Sequence, residues 1–454
     1  MKRLANLPEV LERASNSDKG IVFIHKKSES RLSYAELRER SMALAAHMRS
    51  HGIRARDEVV LRLEDPQAFA IAFWACLIGG FIPVPLAAGG SEENQAKLRH
   101  VWGLLNRPWL VADSNAGTEA MDDEPTSERT LGWDRLQAAF VSGETHESAA
   151  LPWQAGGDDI AFLQFSSGST GEPKGVVLSH ANLLSNMEAI VTCSGTTEND
   201  SSLSWMPLTH DMGLIGFHLA PMFAGMDQYL MQPSQFMLDP MLWLAKASEH
   251  RITSIASPNF GYKHFLSCFK PAEAEGWDLG CVRLIFNGAE PISAEWAERF
   301  VRELAPYGLD PAAMFPVYGL AEATLAVTFP PPDERLIPVR LEAGTLGIGQ
   351  SPRIAGEADE GAVVFVDVGC PVAGCEVRIA DDTDGQMPEG EIGHIVIRGA
   401  SVTRGYYNNP EASEKAHTAD GWLRTGDVGF VRGGRLVITG RHKDIIFVRG
   451  MNVY

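Results

Sequence analysis

A segment rich in glycine and hydroxyl groups runs from Phe165 to Gly175 and reads FSSGSTGEPKG. Its glycines allow the backbone to approach a ligand closely, so that successive N–H groups and hydroxyls can surround phosphate oxygens while Lys174 adds a cation. The spacing differs from the GxxxxGK[ST] phosphate loop. A flexible linker is the alternative, but the segment is short and lies between two apolar runs, IAFLQ and VVLSH. We therefore predict a phosphate-binding loop that contains Ser167, Gly168, Ser169, Thr170, Gly171 and Lys174.

Two further motifs place polar groups at the ends of predicted elements. The segment WMPLTHDMGLIG puts His210 and Asp211 after a strand and before an apolar helix. An isolated histidine is more often structural, and Asp211 could act only as a helix cap. The segment NGAEP begins with Asn287, Gly288 and Ala289 and follows the apolar run VRLIF. It should therefore lie at the carboxyl end of a parallel strand, where α/β sheets bind ligands.

Two later motifs carry an aromatic ring and two carboxylates. YGLAEAT contains Tyr318 and Glu322, and GWLRTGD ends at Asp427. A flat base binds well on an aromatic face, a hard cation on phosphate oxygens needs an oxygen ligand, and an ionised carboxylate can accept two donors. Each residue also has a structural alternative: core packing for Tyr318, a surface charge for Glu322 and a solvated turn for Asp427.

Alternating helices and strands must position these motifs. Ser33 and Glu36 form a capping box ahead of a helix with an apolar stripe, and the strand DEVVLRL follows. The uncharged segment from Ala68 to Ala88 is long enough to cross a bilayer. Its glycines and prolines instead predict a buried helix that ends near Ile78 and a short strand, FIPVPL.

The pattern changes after Phe329, where short alternating strands such as GHIVIRG and GFVRGGRLVITG follow one another. In the second of these, Gly433 and Gly434 fit a type I′ hairpin turn. We predict an α/β fold with several subdomains: two α/β subdomains and a small β-barrel-like subdomain, mainly β, at residues 330–440.

Composition disfavours several classes of function. The 454 residues have a net charge of -19, which repels phosphate backbones and anionic lipid, so we expect no nucleic-acid partner. No apolar signal-peptide region follows the N-terminus, and the six scattered cysteines suit reduced thiols. Cys370 and Cys375 lie close together, but no second pair completes a zinc pattern. We expect a cytoplasmic protein without a membrane span.

Together these motifs resemble those of the superfamily of acyl-CoA synthetases, luciferases and peptide-synthetase adenylation domains. The resemblance runs from LSYAELRERS to the last residue and is closest to the fatty acyl-AMP ligases. It implies an enzyme that binds ATP and Mg²⁺ and joins a carboxylic acid to AMP with release of pyrophosphate. The closest resemblance implies that this carboxylic acid is a fatty acid. The acyl group would then pass to a thiol in lipid, polyketide or lipopeptide biosynthesis.

The resemblance also implies a role for each motif. His210 would lie beside the acyl carboxylate and the phosphates, and residues 287–289 would line the adenine pocket. Tyr318 would stack on adenine, and Glu322 would hold Mg²⁺. Asp427 would accept hydrogen bonds from both ribose hydroxyls. The apolar segments FHLAPMFAGM and SPNFGYKHFL are expected to line the tunnel for the acid.

Two differences between this chain and many acyl-CoA synthetases bear on catalysis. Ala321 stands where those enzymes have a threonine, so one phosphate contact is missing, as in the acyl-AMP ligases. The chain stops at Tyr454, so by resemblance we also expect the small C-terminal lid and its lysine to be missing. By resemblance, Arg441 would reach the ribose or a phosphate and Lys443 would be the hinge of that lid. We expect a large adenylation domain at 1–440 and a hinge at 441–454. The chain would then be a weakly active N-terminal fragment, or a truncated homologue that only binds nucleotide.

The stretch Thr328–Val368 is, by resemblance, longer than the corresponding connection in ordinary acyl-CoA synthetases. Fatty acyl-AMP ligases carry an insertion here that packs on the large domain and hinders the lid movement needed by coenzyme A. Apolar alternation in the stretch predicts a packed element. We therefore expect the acceptor to be the phosphopantetheine arm of an acyl carrier protein. The alternative for this stretch is a surface loop without influence on the acceptor. For the function as a whole, the rival enzyme is an acyl- or aryl-CoA ligase.

Overall fold

The computed structural model describes residues 4–113, 128–141, 153–166, 172–356, 359, 361–442, 446–448 and 451–453. Its α-helices are α1 (Leu7–Ala14), α2 (Tyr34–Ser50), α3 (Pro66–Gly79), α4 (Glu92–Leu104), α5 (Trp133–Val141), α6 (His180–Ser194), α7 (Ala220–Ala224), α8 (Pro233–Leu238), α9 (Met241–Glu249), α10 (Asn259–Cys268), α11 (Ala294–Leu304) and α12 (Pro410–Ala416). A π-helix spans Met212–Leu219, and single 3₁₀ turns include Ala321–Ala323.

The first strands along the chain are β1 (Gly20–Ile24), β2 (Glu29–Ser33), β3 (Glu58–Arg62), β4 (Ile82–Pro85), β5 (Trp109–Ala112), β6 (Thr130–Gly132), β7 (Ile160–Ser166), β8 (Lys174–Ser179), β9 (Ser201–Ser204), β10 (Asp227–Met231), β11 (Ser254–Ala256), β12 (Leu284–Asn287) and β13 (Met314–Pro316). The later strands are β14 (Tyr318–Gly319), β15 (Ala326–Phe329), β16 (Pro338–Glu342), β17 (Ala362–Val366), β18 (Cys370–Pro371), β19 (Cys375–Ala380), β20 (Gly393–Gly399), β21 (Leu423–Arg432), β22 (Arg435–Arg441), β23 (Ile446–Val448) and β24 (Met451–Val453).

Two α/β sheets form the larger part of the fold. One has seven strands in the order β13-β12-β11-β9-β10-β1-β2, all parallel except for the last pair. The other has four parallel strands in the order β4-β3-β5-β6. Helices connect most of the parallel strands, as crossover connections require, whereas most of the connection from β5 to β6 lies outside the described residues. The predicted α/β fold with two α/β subdomains is confirmed.

Most of the antiparallel pairs among the described residues lie in the last third of the chain. Strands β19–β22 form an open four-stranded sheet in the described part of the chain, with a bridge from Asp367 to Val437 beside its β22 edge. Gly433 and Gly434 have φ values of 60° and 76° and connect β21 to β22. A type I′ turn needs positive φ at both central residues, so the predicted hairpin is confirmed.

The uncharged segment that begins at Ala68 is a core helix and not a membrane span. Helix α3 has 14 residues, of which those from Ala68 to Gly79 are buried, so it is apolar on every face. It ends at Gly79. The next residue, Gly80, has a φ of 72°, and a Cβ there would lie 2.4 Å from the Trp153 ring. Strand β4 then lies beside β3. Across the described residues, no helix has both the length and the apolar character to cross a bilayer.

The capping box predicted at the start of α2 is present. The Ser33 hydroxyl accepts a hydrogen bond from the Glu36 N–H at 3.1 Å, and the Ser33 N–H donates to the Glu36 carboxylate at 2.8 Å. This arrangement satisfies backbone donors that the first helical turn leaves without partners.

Candidate active site

A cavity of about 1110 Å³ opens where the two α/β regions meet strands β21 and β22. It lies beyond the carboxyl ends of β12 and β13, which is the usual ligand position in a parallel sheet. Its wall includes seven residues that the sequence predicted for the site: Lys174, His210, Ala289, Tyr318, Glu322, Asp427 and Arg441.

The glycine-rich segment connects the two strands of a hairpin. Strands β7 and β8 pair antiparallel, and their last pair joins Ser166 to Lys174. Lys174 therefore begins β8 directly at the cavity wall. The predicted phosphate-loop residues Ser167, Gly168, Ser169, Thr170 and Gly171 lie outside the described residues, as does the predicted hinge Lys443, so their roles stay predictions.

Tyr318, Asp427 and Arg441 form a connected group in the cavity wall. The Tyr318 hydroxyl donates to Oδ2 of Asp427 at 2.6 Å, and Arg441 Nε donates to Oδ1 at 3.2 Å. Burial, together with the neighbouring charge of Asp427, raises the pKa of Tyr318 well above its usual value, so the phenol keeps its proton. Tyr318 and Asp427 are both buried, while the Arg441 side chain is exposed. An aromatic ring, an anion and a cation thus share one part of the cavity.

Glu322 projects from the turn Ala321–Ala323 and is half-buried. Burial raises the pKa of its carboxyl group, and the charge of Asp211 adds to the effect, while Tyr406 and Lys174 partly oppose it. The Tyr406 hydroxyl donates to Oε1 of Glu322 at 2.9 Å. Tyr406 and Lys174 therefore offset only part of the cost of burying the negative charge of Glu322. Such a carboxylate is a suitable ligand for a hard cation such as Mg²⁺, which usually takes one or two protein carboxylates besides phosphates and water.

His210 and Asp211 precede the π-helix Met212–Leu219. Asp211 caps this helix, because its Oδ1 accepts a hydrogen bond from the Met212 N–H at 2.7 Å. The same oxygen lies 2.8 Å from His210 Nδ1. Burial lowers the pKa of His210, but the charge and hydrogen bond of Asp211 outweigh burial, and the pKa is raised overall. Asp211 therefore caps a helix and also favours the cationic form of His210.

A buried polar network includes His218 of the π-helix. Trp74 Nε1 donates to His218 Nε2 at 2.9 Å, so the His218 proton lies on Nδ1, which is 2.9 Å from Gln228 Oε1. Gln228 Nε2 in turn donates to the Tyr34 hydroxyl at 2.7 Å. π-Helical turns are rare and often occur at functional sites. Here the turn directly follows the two polar residues of the cavity wall.

The predicted residues at the end of β12 do not all reach the cavity. Asn287 is fully buried, and its Oδ1 has no hydrogen-bond partner among the described residues. A Cβ at Gly288 would lie 2.9 Å from the side chain of Val317, so this position needs glycine for close packing. Only Ala289 belongs to the cavity wall, and its φ is 69°.

Sequence reasoning missed several residues of the wall. Tyr406 contacts Glu322, and Lys97 on α4 lies near His210, where its charge lowers the histidine pKa. Lys97 itself has a lowered pKa because of burial. Neither residue stands in a motif with its own chemical signature. The apolar tunnel was only partly predicted: Phe217 lines the cavity, whereas the described wall includes no residue of Ser257–Leu266.

The long stretch Thr328–Val368 contains a hairpin of β16 and β17. Leu341 and Leu346 are buried in it and pack with Val428, Phe430 and Val437 of the β19–β22 sheet and with Ile392, which directly precedes β20. Phe365, Val366 and Val368 also line the cavity. The prediction of a packed element is therefore confirmed, and part of it belongs to the site.

Comparisons with known proteins agree with this geometry. The AMP-binding enzyme family model matches residues 11–407. The medium-chain-fatty-acid–acyl-carrier-protein ligase JamA of Moorena producens (strain JHB) is 31% identical over 448 residues, which cover 94% of this chain and 74% of that protein.

Two solved structures show the same fold along almost the whole chain. One is an adenylation domain of a keto acid-selecting NRPS module bound to keto acyl adenylate. It has a TM-score of 0.90 and 30% identity, with coverage of 100% of this chain and 86% of that one. The other is the fatty acyl-adenylate ligase from L. pneumophila in complex with acyl adenylate and pyrophosphate. It has a TM-score of 0.88 and 30% identity, with coverage of 97% and 78%.

Proposed function

Because the chain belongs to the AMP-binding enzyme family, we propose that it activates a fatty acid with ATP to form acyl-AMP and pyrophosphate. The acyl group then passes to the phosphopantetheine thiol of an acyl carrier protein. The observation that carries the proposal is the single cavity in which Tyr318, Asp427 and Arg441 lie together with Lys174 and Glu322. These groups match the parts of a nucleotide: a flat base, a ribose and a chain of phosphates.

The base and ribose occupy the part of the cavity around Tyr318. The Tyr318 ring offers a stacking face for adenine, and the backbone at Ala289 lies in the same wall. The Asp427 carboxylate lies in the cavity wall and would accept hydrogen bonds from the ribose hydroxyls, because an ionised carboxylate can accept several donors. Arg441 is exposed enough to reach the ribose or a phosphate.

The phosphates occupy the part around Lys174. The Lys174 ammonium group would offset the charge of the β- and γ-phosphates, and Glu322 would hold Mg²⁺. When bound, Mg²⁺ would neutralise further charge on the phosphate oxygens. The site residues orient the acid so that one carboxylate oxygen attacks the α-phosphorus in line. A new O–P bond forms while the bond to the departing pyrophosphate breaks.

His210 would lie beside the acid and the phosphates, since it belongs to the same cavity wall as Lys174 and Glu322. Its raised pKa increases the cationic fraction near neutral pH, which favours an anionic carboxylate and an α-phosphate beside it. Donors and cations fixed in this way stabilise the charge that develops in the transition state. Apolar groups in the same wall, including Phe217, Phe286 and Phe329, suit a fatty acyl chain.

The packed hairpin supports the choice of acceptor. Strands β16 and β17 pack on the β19–β22 sheet, and the end of β17 lies beside the cavity. This hairpin packs on the sheet whose last strand, β22, ends at Arg441, just before the predicted hinge of the C-terminal lid. A packed element here can restrict the lid movement that the reaction with coenzyme A needs. JamA, with 31% identity, is named as a ligase for an acyl carrier protein.

The experiment supplies the protein with ATP, Mg²⁺ and a mixture of fatty acids, and detects adenylates by mass spectrometry. Holo-acyl carrier protein and coenzyme A are then added in separate reactions. We expect acyl-AMP, pyrophosphate release and acylation of the carrier protein. Efficient formation of acyl-CoA would make the protein an acyl-CoA ligase. Nucleotide binding without pyrophosphate release would identify a binding module.

A further inference from the structure

The segment Thr403–Asn409 crosses the phosphate side of the site and is tied to it by backbone hydrogen bonds. The Val177 N–H donates to the Gly405 carbonyl at 3.1 Å, and the Tyr407 N–H donates to the Gly175 carbonyl at 2.7 Å. The Thr403 N–H donates to the Glu322 carbonyl at 2.7 Å. The segment is therefore attached both to β8, which begins at Lys174, and to the turn that carries Glu322.

Tyr406 lies at the centre of this segment and contacts two site residues of opposite charge. Its hydroxyl donates to Oε1 of Glu322 at 2.9 Å. The Lys174 ammonium lies over its ring, 5.2 Å from the centroid. A hydrogen bond to one carboxylate oxygen leaves the other oxygen for a cation, and a ring face attracts an ammonium group. One side chain can thus set the positions of both groups.

The next residue supplies a matched comparison inside the same chain. Tyr407 points away from Glu322, and its hydroxyl donates to Oε1 of buried Glu58 on β3 at 2.6 Å. Asn106 donates to the same Glu58 oxygen at 3.2 Å. Two adjacent tyrosines therefore make equivalent hydrogen bonds to carboxylates, one in the cavity wall and one in the packing between subdomains.

We propose that Tyr406 is a positioning residue for adenylation: its hydroxyl orients the Glu322 carboxylate and its ring holds the Lys174 ammonium toward the phosphates. The inference rests on the proposed function. A role in packing alone is the alternative, and it predicts that removal of the hydroxyl changes stability but not the affinity for Mg²⁺.

The test measures ATP binding by isothermal titration calorimetry at a series of Mg²⁺ concentrations. Tyr406→Phe removes only the hydroxyl and should weaken the apparent Mg²⁺ affinity about 10- to 100-fold, the usual effect of losing a group that orients a metal ligand. Tyr407→Phe is the control and should leave that affinity unchanged. Thermal melting of both variants checks that each one is folded.

Two further variants separate the contributions of the hydroxyl and the ring. In a Glu322→Gln background, Tyr406→Phe should have no additional effect on Mg²⁺ affinity, because the oriented carboxylate is already lost. Tyr406→Leu should also weaken the binding of pyrophosphate without Mg²⁺, about twofold to thirtyfold relative to Tyr406→Phe, because the ring no longer holds Lys174.

The outcomes distinguish this inference from the proposed function. If the wild-type protein binds ATP with Mg²⁺ and Tyr406→Phe behaves like Tyr407→Phe, Tyr406 only packs and the inference is wrong. If additive effects appear in the Glu322→Gln background, the hydroxyl does not act through Glu322. If the wild-type protein binds no ATP at any Mg²⁺ concentration, the proposed function fails and the inference fails with it.

Discussion

The Tyr318 hydroxyl donates a 2.6 Å hydrogen bond to Oδ2 of Asp427, although the two residues are 109 positions apart in the chain. The bond joins β14, next to the end of the large parallel sheet, to β21 of the antiparallel sheet. Arg441 donates to the other oxygen of the same carboxylate. Asp427 therefore fixes two regions of the fold against each other at the point where the ribose is proposed to bind.

Asp427→Asn should weaken ATP binding while the protein stays folded. The amide oxygen can still accept from Tyr318, but the loss of charge removes a charge-assisted acceptor for the ribose. Such a bond contributes about 1.5 to 3 kcal/mol, so Asp427→Ala should raise the Kd for ATP about 10- to 150-fold, and Asp427→Asn should raise it by less. Calorimetric titration measures the affinities. A lower melting temperature with unchanged ATP affinity would show that Asp427 has only a structural role.

Lys174→Met should lower the rate of ATP–pyrophosphate exchange about 100- to 1000-fold, because a positioned charge-stabilising group is lost while the apolar part of the side chain is kept. Lys270→Met is a matched control, since Lys270 forms an exposed ion pair with Glu273. Steady-state exchange assays compare the two variants. Equal rates for wild type and Lys174→Met would exclude Lys174 from phosphate stabilisation.

The stability of the protein should decrease in mild acid partly because of His218. Burial lowers the pKa of His218 to about 4, and a proton on Nε2 would face the Trp74 N–H donor. The unfolded chain, with a histidine pKa of about 6.5, therefore binds the proton first. This contribution to stability is complete above pH 6.5 and falls by about 1.4 kcal/mol per pH unit as the pH decreases toward 4.

Urea unfolding at pH 7 and pH 5 of wild type and His218→Gln isolates this effect. Between pH 7 and pH 5, the free energy of unfolding of the wild-type protein should fall by about 2 kcal/mol more than that of the variant. The reason is that the contribution of His218 decreases over the roughly 1.5 pH units between 6.5 and 5. Other groups titrate equally in both proteins and cancel in the difference. The same loss in both would show that His218 is not kept neutral by the fold.

Leu341→Ala should destabilise the protein by about 2 to 5 kcal/mol, because Leu341 is fully buried between the β16–β17 hairpin and the β19–β22 sheet. Ile354→Ala is the control, because Ile354 is 55% exposed, and its effect should stay within about 0.5 kcal/mol. Denaturant unfolding provides both values. Similar small effects of the two substitutions would mean that the hairpin is not part of the cooperative fold.

Features that depend on neighbours in the chain were predictable from the sequence. The capping box of Ser33 and Glu36, the end of α3 just before Gly80 and the turn at Gly433–Gly434 follow from local steric and hydrogen-bonding preferences. The site motifs were recognisable for the same reason, since each is a short run of suitable residue types. The boundary at residue 440 and the roles of residues 167–171 stay predictions.

Tertiary structure decided which of these groups meet, because such contacts depend on packing between distant segments. The sequence alone marks neither Tyr406 as the partner of Glu322, 84 positions away, nor Tyr407 as the partner of Glu58, 349 positions away. Two adjacent tyrosines are chemically equivalent until the fold turns one toward the cavity and the other toward β3. Residue type and local spacing therefore determined which functional groups this protein has. The packing of distant segments against one another determined which of those groups lie together in the cavity.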